Sequence, residues 1–300
     1  MKKYAKLISI VMGCAALAAL LVVCICSCDS ASSAPTVPGW YDDNVVIAHA
    51  LGTIDGRTET NSLEALYYSY DRGFKVFETD ICLTSDGYLA LRHDFAADSY
   101  FTFEQDMDDT PVMSKEEFLS TPIKGIYTPI LFDDLVAFMN EHSDVYIVTD
   151  SKSTDKETVI QQFAKLKEAV DKTGNPALYD RIIVQLYNYD MLDWVKEVYD
   201  FKNYILTLYQ MENVNYNKVG RYCKEQGIRV VTMPQENCSA EISKKLHSYG
   251  VMVYTHTVNR IRTIDSLNTY HGVDGFYTDY VSPKDLEKYG FERKQAEMQY

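Results

Sequence analysis

Val76–Asp94, VFETDICLTSDGYLALRHD, is the stretch on which the fold turns. Val76, Phe77, Ile81 and Leu83 are strand formers, and Ser85-Asp86-Gly87 supplies a turn. Tyr88–Arg92 alternates back as a second extended run that His93-Asp94 closes. Two carboxylates, Glu78 and Asp80, sit inside the first strand. A strand has a side-chain period of two, so both acids point to one face. Paired acids on an apolar strand repel each other and are costly to bury alone. A divalent cation removes that cost, because hard cations take carboxylate oxygens. The plainer reading is a solvated edge strand with two idle acids. Against it, Phe77 and Ile81 require cover on the other face, and His93 follows closely.

Outward from this stretch, short apolar runs alternate with helical patterns. Runs at Val45–Ala48, Val145–Thr149, Arg181–Leu186, Tyr204–Leu208, Arg229–Thr232, Val251–Tyr254 and Gly275–Tyr277 read as strands. Between them, helices are predicted at Leu63–Arg72, Leu131–Glu141, Thr154–Lys172, Tyr189–Tyr199, Val214–Gln226, Ala240–Tyr249 and Ile261–Thr269, and a last one begins near Pro283. Such alternation implies a parallel sheet, and about eight units in roughly 260 residues suit one closed (β/α)₈ TIM barrel of the α/β class. Residues 40–300 are assigned to it as a single domain. Phe95–Pro129 breaks the rhythm and reads as a loop excursion over the barrel mouth, with a short helix at Ser114–Leu119.

The 300-residue chain has a formal net charge of −14. Its first 28 residues carry Lys2, Lys3 and Lys6 and no acid, so the remainder stands at −17. An acidic body argues against nucleic acid as a partner. Behind the three lysines, Leu7–Cys28 is uncharged throughout, which marks residues 1–28 as a signal peptide or membrane anchor with the body facing outward. Ile25-Cys26-Ser27-Cys28 resembles the cleavage box of bacterial lipoproteins, which would leave a lipidated Cys28; an uncleaved anchor helix is the other reading. Either one places the body on the extracytoplasmic face of the cell membrane. Asp29–Gly39 reads as a flexible linker. The remaining cysteines, Cys82, Cys223 and Cys238, match no zinc spacing. Cys82 is expected to be a buried thiol, and Cys223 and Cys238 could pair.

In a barrel, catalytic groups stand at the C-terminal ends of strands. The polar residues at those ends are His49, Glu78, Asp80, His93 and the run Asp150-Ser151-Lys152. Two histidines, three acids and a lysine arriving together point to a site. These residues resemble a known family. VIAHALG, TNSLEAL, VFETDICLTSDGYLALRHD, VYIVTDSK, VYTHTVN and GVDGFYTDY look like successive motifs of the glycerophosphodiester phosphodiesterase family, which shares a superfamily with phosphatidylinositol-specific phospholipase C. The likeness runs in order from about Val45 to Pro283. It implies a barrel with one divalent cation, Ca²⁺ or Mg²⁺, held by Glu78, Asp80 and Asp150. It implies His49 and His93 as general acid and base, with Lys152 neutralising phosphate charge.

Three departures from the family pattern bear on substrate. Ala50 stands where an arginine usually follows the first histidine; Arg57 is the better candidate to replace it, because Arg92 should point away from its neighbour His93. Thr60 stands where a glutamate usually precedes Asn61, with Glu59 adjacent. His256 replaces the tryptophan of the late motif, a position that tends to line the alcohol pocket. The expected substrates are lipid head-group diesters or glycerol-phosphate polymers. Two other readings stay open: a binding module that lost catalysis, favoured by Ala50, and a metal-independent phospholipase C-like enzyme, which leaves the three acids unexplained.

Overall fold

The computed structural model describes residues 39–106 and 112–294. The expected signal or anchor segment and all of the linker but Gly39 lie outside them. Eight parallel strands close into a barrel: β1 (Val46–Ala48), β2 (Val76–Leu83), β4 (Tyr146–Asp150), β5 (Ile182–Leu186), β6 (Asn203–Thr207), β7 (Val230–Pro234), β8 (Met252–His256) and β9 (Gly275–Thr278). They pair in the circular order β1-β9-β8-β7-β6-β5-β4-β2, and β1 pairs with β2 to complete the ring. β3 (Leu89–Leu91) folds back antiparallel on the outer half of β2, as the Ser85-Asp86-Gly87 turn requires. The strands and helices expected for the barrel are present among the described residues, with ends that coincide or shift by up to three residues.

The strand period of two builds the interior in layers. Ile47, Val76, Val148, Ile183, Ile205, Val230 and Met252, one from each of seven strands, pack in one buried cluster with Tyr254 and Tyr277. Two residues further along the same faces come His49, Glu78, Asp150, Gln185, Thr207 and Thr232. The barrel is therefore apolar in one layer and polar in the next. Trp40, on a short helix Trp40–Asp43, joins the apolar layer and meets Tyr254 edge-on at 5.7 Å. Gly275 allows that layer to close, since a Cβ there would lie 2.2 Å from the Tyr254 ring.

Helix starts follow the capping signals. Ser62 caps Leu63–Asp71 and Asp155 caps Lys156–Lys172, each satisfying an orphan N–H of the first turn. The excursion after β3 is more structured than a loop. The expected short helix forms at Lys115–Ser120 with a full Ser114/Glu117 capping box, and a further helix forms at Ala97–Thr102. Tyr100, Met113 and Phe118 pack on Ala90 and Leu131, while Phe103, Ile123 and Tyr127 form a second small cluster. Cys223 and Cys238 are separate buried thiols, and Cys82 is partly buried.

Candidate active site

Strand register assembles the polar layer. Asp80 pairs directly with Asp150 across β2–β4. Ala48 pairs with Phe77 on one side and Thr278 on the other, which sets His49 between Glu78 and Asp279. Thr149 pairs with Val184, which brings Gln185 beside Asp150. The result is a cavity of about 310 Å³ lined by His49, Glu78, His93, Asp150, Lys152 and His256, with Glu59, Gln185, Tyr209 and Tyr277.

Glu78, Asp80 and Asp150 each present an oxygen within 4.8 Å of the others. Each also has its second oxygen pinned by a neutral donor. The Ala50 N–H donates to Glu78 Oε2 at 2.7 Å, the Asn61 amide to Asp80 Oδ2 at 2.8 Å, and the Gln185 amide to Asp150 Oδ1 at 3.2 Å. Ala50 delivers its N–H from a left-handed conformation, φ 48° and ψ 45°, of the kind held only where the surroundings over-determine it. Three oxygens are left over. Glu78 Oε1 is buried with no hydrogen-bond partner among the described residues. Asp80 Oδ1 and Asp150 Oδ2 both meet the Lys152 ammonium, the latter at 2.9 Å. Lys152 reaches back because its own φ is +53°.

This donor set fits a divalent cation: hard oxygens, one of them orphaned, gathered where a positive charge already sits. Burial and the Asp80 charge raise the Glu78 carboxyl to about 8, and burial also raises Asp150. Burial works the same way on Asp80, but Lys152, His49 and His93 outweigh it and hold that carboxyl low. Burial opposes the Lys152 charge, yet Asp80 and Asp150 raise it further. A site in which one acid is driven toward its neutral form at pH 7 is short of positive charge.

Each histidine is backed by an aspartate. His49 Nδ1 donates to Asp279 Oδ1 at 2.8 Å, and Asp279 is held by the Asn259 amide at 2.6 Å. Burial disfavours the imidazolium, but the Asp279 hydrogen bond and the charges of Glu78, Asp279 and Asp80 raise it to about 10. His93 Nδ1 donates to Asp94 Oδ2 at 2.6 Å. The other oxygen of Asp94 accepts from Ser99 at 2.5 Å and from the Ala96 N–H at 2.8 Å. In both cases Nδ1 is engaged and Nε2 is the nitrogen available for proton transfer.

His256 lies between the rings of Tyr209 and Tyr277, at 5.8 and 6.0 Å, with Nδ1 3.1 Å from Thr232 Oγ1. Burial and the nearby His49 charge lower it to about 4. Arg57, by contrast, is not brought into the cavity. Its guanidinium is 3.7 Å from Glu104 and 6.0 Å from the Tyr127 ring, because the loop carrying it folds against the excursion. Arg92 is also elsewhere, buried among Phe95, Tyr100 and Phe103 and bonded to Gln105. Lys152 is thus the one lysine or arginine lining the cavity among the described residues. Glu59, left-handed at φ +62°, lines the cavity while Thr60 is buried against Ser62. Sequence reasoning missed Asp279, Gln185 and Tyr209. The signal for Gln185 was present, a lone amide in the apolar run IIVQLY two residues after the inward Ile183.

Residues 53–282 match the model of the glycerophosphoryl diester phosphodiesterase family. The chain belongs to this family. No curated protein sequence matches it closely. Solved structures share the fold at low identity. A phosphodiesterase from Oleispira antarctica, determined in complex with the product sn-glycerol-3-phosphate, is 16% identical with a TM-score of 0.67, covering 84% of this chain and 98% of that one. A glycerophosphodiester phosphodiesterase from Thermotoga maritima is 18% identical with a TM-score of 0.59, covering 83% and 98%. One from Parabacteroides distasonis is 18% identical with a TM-score of 0.61, covering 82% and 97%.

Proposed function

We propose that the protein is a divalent-metal-dependent glycerophosphodiester phosphodiesterase that uses His49 and His93 for proton transfer. The observation that carries this is the polar layer itself. Three carboxylates, each pinned at one oxygen, lie within 4.8 Å of one another, and two of them, Glu78 and Asp150, line a cavity with two histidines that are each pinned at Nδ1 by an aspartate. Glu78, Asp80 and Asp150 would hold the ion, Ca²⁺ or Mg²⁺. When bound, it withdraws negative charge from a nonbridging phosphate oxygen. Lys152, relieved of its contacts with Asp80 and Asp150, neutralises the rest of the phosphate charge as a point cation. One histidine accepts a proton at Nε2 from the nucleophile, water or a neighbouring substrate hydroxyl, and the other protonates the leaving alkoxide. Each transfer typically contributes about 10²–10⁴-fold. Asp279 and Asp94 fix tautomer and ring orientation. His256, Tyr209 and Tyr277 form an aromatic wall against the alcohol.

The substrates proposed are lipid head-group diesters or glycerol-phosphate polymers. That the Oleispira antarctica structure holds sn-glycerol-3-phosphate supports the glycerol-phosphate half. Leu7–Cys28, behind three lysines, supports tethering to the extracytoplasmic membrane face. No helix among the described residues is long and apolar enough to cross a membrane. The deciding experiment is a screen for release of the leaving alcohol from glycerophosphodiesters with and without chelator. Chelator-sensitive turnover supports the proposal. Turnover that survives chelation overturns the metal role and favours the phospholipase C-like reading. No turnover, together with tight diester binding, favours the binding module to which Ala50 points.

A further inference from the structure

We infer that Gln185 is a positioning residue that restricts Asp150 to one oxygen toward the cation, with its own amide oriented by the Tyr277 hydroxyl. The inference rests on the metal reading proposed above. Gln185 is buried, and all its polar groups are engaged. Its Nε2 donates to Asp150 Oδ1 at 3.2 Å and to the Tyr187 hydroxyl at 3.3 Å. Its Oε1 accepts from the Tyr277 hydroxyl at 2.9 Å. This orientation is forced. A carboxylate only accepts, so the amide must turn its N–H₂ toward Asp150, and Tyr277 must then donate to the oxygen. The chain of bonds runs from β9 through β5 to β4, from Tyr277 to Asp150.

The consequence follows from the short side chain of Asp150. An unrestrained aspartate facing a cation can offer both oxygens. With Oδ1 turned to Gln185 at 3.2 Å, Oδ2, which meets Lys152 at 2.9 Å, is the oxygen directed to where positive charge sits. Asn61 and the Ala50 N–H impose the same limit on Asp80 and Glu78. Three one-oxygen carboxylates suit a small ion that takes few protein ligands and keeps its waters, as Mg²⁺ does. Ca²⁺ accepts more oxygens and bidentate carboxylates. Outer partners of this kind typically alter metal affinity by about 10–100-fold.

The test is isothermal titration of the purified full chain with Mg²⁺ alone and Ca²⁺ alone, in the absence of any diester. The variants are Gln185→Met, which keeps volume and removes the donor, and Tyr277→Phe, which leaves the amide but frees its orientation. Gln185→Met is expected to weaken Mg²⁺ binding by about tenfold or more and Ca²⁺ binding distinctly less, since the released Oδ1 can join the larger ion. Tyr277→Phe is expected to shift the Mg²⁺ to Ca²⁺ preference in the same direction, and to add nothing in the Gln185→Met background. Unchanged affinities, or equal weakening for both ions, would overturn the inference. So would normal ion binding with only a raised KM, which would make Gln185 a substrate contact. If the unsubstituted chain binds neither ion, the metal reading itself has failed; if it binds and the variants match it, only the Gln185 role has.

Discussion

Replacing Glu78 with Gln should have opposite effects on stability with and without metal. In metal-free protein, burial and Asp80 lift the Glu78 carboxyl from its ordinary 4.5 to about 8. A raised carboxyl pKa means that the folded state holds a proton which the unfolded state releases. The group is therefore neutral to stability below 4.5 and destabilising as pH rises, until the effect levels off near 8. At pH 7 the interval above 4.5, at about 1.4 kcal/mol per pH unit, amounts to roughly 3 kcal/mol. Glutamine does not titrate, and its carbonyl can still accept the Ala50 N–H. In chelator at pH 7, Glu78→Gln should therefore melt higher than the parent by roughly 5–10 °C for a domain of this size. The gap should close by pH 4.5. Saturating Mg²⁺ or Ca²⁺ at about 100 times Kd should stabilise the parent by about 2.7 kcal/mol and the variant hardly at all, erasing or reversing the order, and the variant should have lost its activity. Melting curves followed by circular dichroism over pH 4.5–8, with chelator and with each ion, provide the measurement. Parent and variant melting together in chelator across that range would refute the argument, as would equal gains from metal.

Other expectations follow from neighbouring contacts. Asp279→Asn should lower kcat by about 10²-fold or more with little change in KM, because an amide can present a donor to His49 Nδ1 and impose the wrong tautomer; an unchanged kcat would show that His49 needs no orienting partner. His49→Ala and His93→Ala should each remove most activity and the double variant little more, with a bell-shaped rate profile in the parent; a single variant at near-full rate would make that histidine structural. His256, held near 4 instead of its usual 6.5, binds a proton only in the unfolded state between those values, so stability should fall as pH drops from 6.5 to 4, by about 3 kcal/mol at most. His256→Phe should flatten that fall in a melting series, and His256→Ala should change diester preference more than the rate on a small activated diester. Removing Met1–Cys28 should leave a folded, soluble body, whereas Trp40→Ala should cost about 3–5 kcal/mol through the cavity left in the apolar layer; unfolding of the first, or unaltered melting of the second, would misplace the domain boundary.

Much of the architecture was legible because it is written in local periodicity. Strand period, helix spacing, caps such as Ser62 and turns such as Ser85-Asp86-Gly87 act over a few residues, and so does the alternation that put Glu78 and Asp80 on one face. The barrel ends named His49, His93, Asp150 and Lys152 as a group, and one cavity collects them. What sequence could not decide were pairings across hundreds of residues. Asp279 reaches His49 over 230 positions, and Gln185 reaches Asp150 and Tyr277 over 35 and 92. Both follow from strand register, which is a property of the closed sheet and not of any one strand. Loop packing, equally non-local, removes Arg57 from the site: its charge suited a phosphate, but its loop packs toward Glu104 and Tyr127. The excursion after β3 read as loop because its apolar residues are too few for a recognisable period, yet Tyr100, Phe118 and Phe103 find cover there. Residue chemistry nominated the candidates; only the closure of the barrel decided which of them touch.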